Sequence, residues 1–113
     1  MRQRAVAAGT LDRTLVALAD PTRRRLIERL GGKSQRASDL GRGLPMSRPA
    51  VSRHLRVLRE AGLVASEPDG REMRYRLAHP RRLEEVRQYV DRVSQFWDQA
   101  LEAFKAFAEQ ERE

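Results

Sequence analysis

Cysteine is absent from this chain of 113 residues, and so is any apolar stretch of 18 or more residues. The first absence excludes disulfides, thiolate metal sites, thiol redox sensing and cysteine nucleophiles. The second argues against a membrane-spanning helix. Residues 1–10 also lack the long apolar segment of a secretory signal. We therefore expect a cytoplasmic protein that has no membrane partner.

Catalytic motifs are equally scarce. The sequence has no phosphate-binding glycine loop, no nucleophile–base–acid set and no metal-ligand spacing. Its two histidines, His54 and His79, have no candidate ligand partners nearby in the sequence. The adjacent Glu84 and Glu85 suit the first turn of a helix better than a catalytic dyad. We expect a protein that is not an enzyme and that binds no cofactor or metal.

Lysine is scarce as well, since 21 of the 23 basic residues are arginine. The codon usage of a GC-rich genome would explain an excess of arginine, but it would not explain where the charge lies. Residues 1–82 contain 19 basic and 8 acidic side chains, whereas residues 83–113 contain 4 basic and 8 acidic ones. The N-terminal part therefore has the charge expected of a protein that binds a polyanion, and the C-terminal part does not.

Helix signals dominate the N-terminal part. Asp20 followed by Pro21 suits the cap and first position of a second helix, which ends at the glycine pair 31–32. A short third helix is expected around residues 37–42, with a turn at residues 43–45. Apolar spacing predicts the first helix, with an inner face formed by Leu11, Leu15 and Leu18.

A fourth helix is predicted from the N-cap Ser47 to about Ala61. Its core stripe contains Val51, Leu55 and Leu58. A helix with short polar and arginine side chains opposite its core stripe can enter a DNA major groove. The alternative is an ordinary amphipathic helix with a solvated basic face. The candidate DNA contacts on this helix are Ser47, Arg48, Pro49, Ser52, Arg53 and Arg56.

A β-hairpin follows, with strands predicted over residues 63–67 and 72–77 and an Asp-Gly turn at residues 69–70. Arg71 and Arg74 are candidate contacts to phosphates or to the adjacent minor groove. The alternative is a hairpin whose edge is protected by charge. Three acidic residues would oppose phosphate binding by this hairpin: Glu67, Asp69 and Glu72.

The last predicted helix runs from about Arg81 to Ala108. Apolar residues recur along it at alternating steps of three and four over more than three heptads, which suits pairing with another helix. The alternative is that the helix folds back on its own core. We expect two copies of the chain to pair through Leu11, Leu15, Val90, Val93, Trp97, Leu101 and Phe104.

This order of elements predicts an α+β fold that is mainly α, a winged helix-turn-helix with a long C-terminal dimerisation helix. We expect residues 1–9 to form an N-terminal arm and residues 10–80 the DNA-binding domain. Residues 81–113 would then form the dimerisation helix and a tail.

Residues 18–26 (LADPTRRRL) and 47–64 (SRPAVSRHLRVLREAGLV) resemble signatures of the ArsR family of winged helix-turn-helix repressors. The resemblance covers roughly residues 10–80. It implies a homodimer that binds double-stranded DNA at a palindromic operator and represses transcription of its own operon. The residues similar to the family's wing are Gly70, Arg71, Tyr75 and Leu77.

The best-known members of this family sense metals through cysteines in the third helix or through carboxylates and histidines in the last. Residues 36–40 read RASDL here, and the last helix has no histidine. The chain therefore resembles the metal-independent, SdpR-like branch of the family. Two other hypotheses stay open. One is a repressor that responds to a metal or a small molecule through Asp91, Asp98 or Glu102, and the other is a winged domain that binds another protein.

Overall fold

The structure is a computed structural model that describes the backbone of residues 2–112 and the side chains of residues 9–112. It confirms the mainly helical α+β fold, a winged helix-turn-helix followed by a long helix. The elements in chain order are α1 (Arg2–Leu18), α2 (Pro21–Arg29), β1 (Gln35–Arg36), α3 (Ala37–Leu40), α4 (Arg48–Glu60), β2 (Val64–Asp69), β3 (Glu72–Leu77) and α5 (Pro80–Arg112).

The predicted helix caps are present at α2 and α4. Asp20 Oδ1 accepts hydrogen bonds from the backbone amides of Thr22 at 2.7 Å and Arg23 at 3.1 Å. The hydrogen bond from the Arg23 amide makes the largest contribution to lowering the pKa of Asp20. Ser47 Oγ accepts from the amide of Ala50 at 3.3 Å. Each cap pairs backbone N–H groups that have no partner inside the helix.

The core lies between α1, α2, α3, α4 and the sheet. The predicted inner stripe of α4 is buried, and this fixes the rotation of α4 about its axis. Because the opposite face of α4 must then point away from the core, the same packing exposes the arginines. The side chains of α4 that pack into the core are Val51, Leu55 and Leu58. Their buried neighbours include Leu26, Leu30, Leu40 and Leu63.

Arginines of α2 pair with the free carbonyl groups at the end of α1. Arg23 Nε donates a hydrogen bond to the carbonyl oxygen of Ala17 at 2.6 Å. Arg24 Nη1 donates to the carbonyl oxygen of Leu18 at 2.7 Å. The last carbonyls of a helix lack intrahelical partners, and charged donors satisfy them well. Part of the arginine excess therefore stabilises the fold.

Arg29, at the other end of α2, pairs in the same way with the segment that ends α3. Its Nη1 donates to the carbonyl oxygens of Leu40 at 2.7 Å and Arg42 at 2.8 Å. The α2 helix thus connects the end of α1 to the turn that leads into α4.

The sheet has three strands rather than the predicted two. β1 pairs antiparallel with β3, which places Gln35 opposite Tyr75 and Arg36 opposite Arg74. The strand order is therefore β1-β3-β2, and β3 is the central strand. The sequence pattern does not predict β1, because a strand of two residues is too short to show alternation.

The predicted position of the hairpin turn is wrong by one residue. Asp69 pairs with Glu72 in the ladder, so the two loop residues are Gly70 and Arg71. Gly70 has a φ of 66° at the first loop position, where a type II′ turn places glycine. We call these two residues the wing loop.

The N-terminal arm predicted for residues 1–9 is helical from Arg2 onward, so this stretch belongs to α1. Residues 2–9 contain three alanines and no proline, a composition that favours helix. Met1 and the side chains of residues 2–8 lie outside the described part of the structure. The predicted boundary between residues 80 and 81 stays a prediction.

The last helix is longer than predicted. α5 has 33 residues, which corresponds to roughly 50 Å. Leu83, near its start, packs against the core, but none of its side chains from Pro80 to Arg112 is fully buried. The radius of gyration is 19.1 Å, against about 13 Å for a compact chain of this length. The C-terminal half of α5 therefore projects from the compact part.

Within residues 2–112, no helix has both the length and the hydropathy needed to cross a membrane.

We expect Leu58→Ala to lower the free energy of unfolding by about 2–5 kcal/mol, because it leaves a cavity beneath α4. Leu58 is fully buried, whereas its neighbour Val57 is 37% exposed. Val57→Ala is therefore the matched control and should cost less than about 1 kcal/mol. Urea unfolding followed by circular dichroism measures both values. Equal losses for the two variants would contradict the packing described for α4.

Candidate nucleic-acid interface

The predicted contact residues of the fourth helix lie together on one exposed surface. Because Val51, Leu55 and Leu58 face the core, the other side of α4 faces solvent. The N-terminal end of α4 lies on this surface too, and the positive end of the helix dipole there favours a nearby anion. The exposed residues of this surface are Ser47, Arg48, Pro49, Ser52, Arg53 and Arg56.

A shallow groove runs along this surface beside the wing. Arg59 was not among the predicted contacts, although it follows Ser52 by seven residues and therefore lies within about 20° of it around the helix. Arg59 Nη1 donates a hydrogen bond to Ser66 Oγ of β2 at 3.3 Å. The groove thus extends the basic surface toward the C-terminal end of α4. Its lining residues are Ser52, Arg53, Arg56, Arg59 and Tyr75.

One of the arginines on this surface, Arg56, forms an ion pair. Arg56 Nε lies 3.5 Å from Glu60 Oε1, one helical turn away. Both side chains are largely exposed, and such a pair contributes about 0–1 kcal/mol. A guanine edge or a phosphate can therefore replace Glu60 as the partner of Arg56.

A second cleft, of about 350 Å³, brings the start of α4 close to the wing. Arg48 and Ser52 line it from α4, Arg42 lines it from the preceding turn, and Glu72 lines it from β3. Arg42 is a further arginine that was not predicted. Its Nη2 lies 2.9 Å from Asp39 Oδ1 in an exposed ion pair.

The two arginines predicted for the wing differ in their surroundings. Arg71 is exposed in the wing loop. Arg74 lies on the central strand, where its Nε is 2.8 Å from Asp69 Oδ2. Its Nη1 donates to the carbonyl oxygen and to Oγ of Ser34, both at 3.2 Å. Since Arg74 is engaged within the fold, we leave it out of the proposed DNA contacts.

Two of the three wing carboxylates are also engaged within the fold. Asp69 accepts hydrogen bonds from Arg36 at 3.0 and 3.2 Å and from Arg74 at 2.8 Å. The side-chain hydrogen bond from Arg36, followed by that from Arg74, lowers the pKa of Asp69 to about 2. Glu72 accepts from the amide of Ser38 at 3.0 Å and from its hydroxyl at 3.1 Å, which lowers the pKa of Glu72. These local donors offset the repulsion of phosphate that the sequence suggests.

His54 lies at the junction of α2 and α4, half-buried, with Nδ1 3.3 Å from Arg23 Nη1. The acidic residues Asp91, Asp98 and Glu102 are exposed on α5. In the part of the chain with described side chains, no three His, Asp or Glu residues come close enough to hold a metal ion.

A short helix, a turn and an exposed arginine-bearing helix, packed beside a wing, form the architecture of a winged helix-turn-helix DNA-binding protein. A family model described as a helix-turn-helix domain matches residues 18–67. Both the geometry and this match define the class of protein.

The relatives define the family. The HTH-type transcriptional regulator Rv2034 of Mycobacterium tuberculosis is 43% identical over 100 residues, which cover 88% of this chain and 90% of the relative. The transcriptional repressor SdpR of Bacillus subtilis is 33% identical over 61 residues, covering 54% of this chain and 68% of SdpR. A solved ArsR-like transcriptional regulator from Rhodococcus sp. RHA1 has a TM-score of 0.64 and 38% identity, covering 90% of this chain and 95% of that one. The chain belongs to the ArsR family of winged helix-turn-helix transcriptional regulators.

The Asp69 ion pairs should make stability depend on pH in a defined direction. The pKa of Asp69 is about 2 in the folded chain, below its ordinary value of 3.8. A lowered pKa stabilises the fold above the ordinary value, and this stabilisation is lost as the pH falls toward 2. In urea unfolding, wild type should therefore exceed Asp69→Asn in stability at pH 6, and the difference should shrink by pH 2.5. A difference that does not change with pH would contradict this assignment.

Proposed function

We propose that this protein is a homodimeric transcriptional repressor that binds a palindromic operator and represses its own operon. The observation that carries the proposal is the exposure of Arg53 and Arg56 on the side of α4 opposite its buried stripe, with Ser52 exposed beside them. Repression follows if the bound dimer occupies the promoter and excludes RNA polymerase. We place the protein in the cytoplasm, where its DNA target would lie.

In this proposal each part of the surface has a separate task. Arg53 and Arg56 read base edges in the major groove, since an arginine fork matches O6 and N7 of guanine. The N-terminal end of α4, with Ser47, Arg48 and Pro49, approaches a phosphate, where the helix dipole favours negative charge. Arg71 reaches the DNA backbone or the minor groove next to the major groove that α4 occupies.

We expect Arg53→Ala and Arg56→Ala each to weaken operator binding by about 1–3 kcal/mol, roughly 5- to 150-fold. Fluorescence anisotropy at about 0.15 M salt, with EDTA present, measures the affinity. The control is Arg87→Ala, because Arg87 is an exposed arginine on α5 and its removal changes the net charge equally. If neither α4 variant differs from wild type, these two residues do not read the operator.

The dimer part of the proposal rests on the exposed apolar face of α5. Val90, Trp97, Leu101 and Phe104 are 53%, 58%, 52% and 67% exposed in the single chain. Val93 is half-buried, as are Leu11 and Leu15 on α1, the helix that lies against α5. A soluble monomer seldom leaves so many large apolar side chains on one stripe.

Pairing of two copies through this face would remove it from water. Burial of a large apolar side chain contributes roughly 2 kcal/mol, so four of them contribute several kcal/mol before the entropic cost of association. A two-fold dimer would present two α4 helices about 34 Å apart, one turn of DNA. This spacing is what makes a palindromic operator the matching target.

Trp97→Glu should convert the dimer to a monomer, because it places a charge in the centre of the apolar face. Gln95→Glu is the control, because this substitution adds the same charge on the opposite side of α5. Sedimentation equilibrium at micromolar concentration measures the mass. A dimer that survives Trp97→Glu would refute the proposed interface.

A further inference from the structure

The wing loop is flanked by two carboxylates that point into the fold. Asp69 comes immediately before the loop and Glu72 immediately after it, and these residues form the last pair of the β2–β3 ladder. Between them, Gly70 and Arg71 are exposed. The position of the Arg71 backbone is thus set by the two residues on either side of the loop.

Each carboxylate connects its side of the loop to the segment that begins the helix-turn-helix. Asp69 contacts Arg36 of β1 through both carboxylate oxygens, at 3.0 and 3.2 Å. Glu72 contacts the amide and the hydroxyl of Ser38 in α3, at 3.0 and 3.1 Å. Two such connections, one on each side of a two-residue loop, restrict its rotation toward or away from α3.

One of these two carboxylates also lies beside the start of α4. Glu72 lines the cleft that also contains Arg48 and Ser52, two of the proposed DNA contacts on α4. After the two hydrogen bonds from Ser38, the charges of Arg36 and Arg48 also help to lower the pKa of Glu72. Glu72 therefore lies across this cleft from the start of α4, held there by its hydrogen bonds to Ser38.

We propose that Asp69 and Glu72 are positioning residues for DNA binding, which hold Arg71 where the wing meets the DNA while α4 lies in the major groove. This inference rests on the proposed function. It predicts an effect opposite in sign to simple electrostatics, by which removal of a carboxylate near DNA strengthens binding. Without the carboxylate, the loop must be ordered during binding, and that ordering reduces affinity.

The first experiment compares two variants that each remove one negative charge from the wing. Asp69→Asn removes the charge and one of the two oxygens that accept from Arg36, whereas Glu67→Gln changes an exposed residue of β2. We expect Asp69→Asn to weaken operator binding about three- to tenfold, the scale of one lost hydrogen bond. Glu67→Gln should bind as tightly as wild type or more tightly. Fluorescence anisotropy at fixed salt and pH 7 measures all three affinities.

The second experiment asks whether Asp69 acts through Arg71, by means of double variants. Asp69→Asn should have little effect in an Arg71→Ala background, because the side chain it positions is gone. In an Arg53→Ala background the two losses should multiply. A general destabilisation of the fold would instead weaken binding to the same extent in both backgrounds.

Variants of Glu72 provide an independent test of the positioning role if Asp69→Asn does not fold. The side-chain oxygen of glutamine can still accept the Ser38 N–H, so Glu72→Gln should retain more affinity than Glu72→Ala. Circular dichroism confirms that each variant is folded.

Several results would overturn the positioning role. These are tighter or unchanged binding by Asp69→Asn, an equal loss in the Arg71→Ala background, or equal affinities for the two Glu72 variants. If Arg71→Ala binds like wild type while Arg53→Ala does not, the positioning role fails and the proposed function stands. If wild type has no preference for operator DNA, the proposed function itself fails.

Discussion

Burial of the α4 stripe formed by Val51, Leu55 and Leu58 is the constraint on which the rest of the structure depends. A helix has one rotational setting for a given buried stripe, and consecutive residues are 100° apart around its axis. A shift of one residue would bury Ser52 and expose Leu55, which would leave a hydroxyl to be satisfied in the core. The apolar packing therefore determines which arginines face outward, although it makes no contact with DNA.

The same residue type has two different roles, and the surrounding backbone determines which. Arg23, Arg24 and Arg29 lie beside carbonyl groups that have no intrahelical partner, and they pair with them. Arg53 and Arg56 lie in the middle of α4, where the carbonyls are already used by the helix, so their guanidinium groups face solvent. The excess of positive charge in residues 1–82 thus overstates the charge available to DNA, and the placement of each arginine matters more than the total.

The sequence predicts features whose causes are local, and it misses those whose causes are distant. The caps at Asp20 and Ser47 and the inner stripe of α4 depend on residues at most four positions apart, and all are present. The pairs formed by Arg36 with Asp69, Ser38 with Glu72 and Arg74 with Ser34 join residues 33, 34 and 40 positions apart. The spacing of residue types along the sequence does not indicate such distant pairs. For this reason only the structure reveals β1, the contacts of Arg74 with Asp69 and Ser34, and the hydrogen bonds that occupy the wing carboxylates.

The elements proposed for dimerisation and for DNA reading are connected by short-range contacts. Arg23 donates to the carbonyl of Ala17 on α1 and contacts His54 on α4, so one side chain joins the two helices. In the proposed dimer, α1 and α5 would set the relative position of the two copies, and Arg23 would transmit that position to α4. The spacing of the two α4 helices would then depend on α2, which packs against both α1 and α4. A site with two fixed half-sites requires a fixed spacing, since each degree of freedom between the helices would have to be frozen on binding.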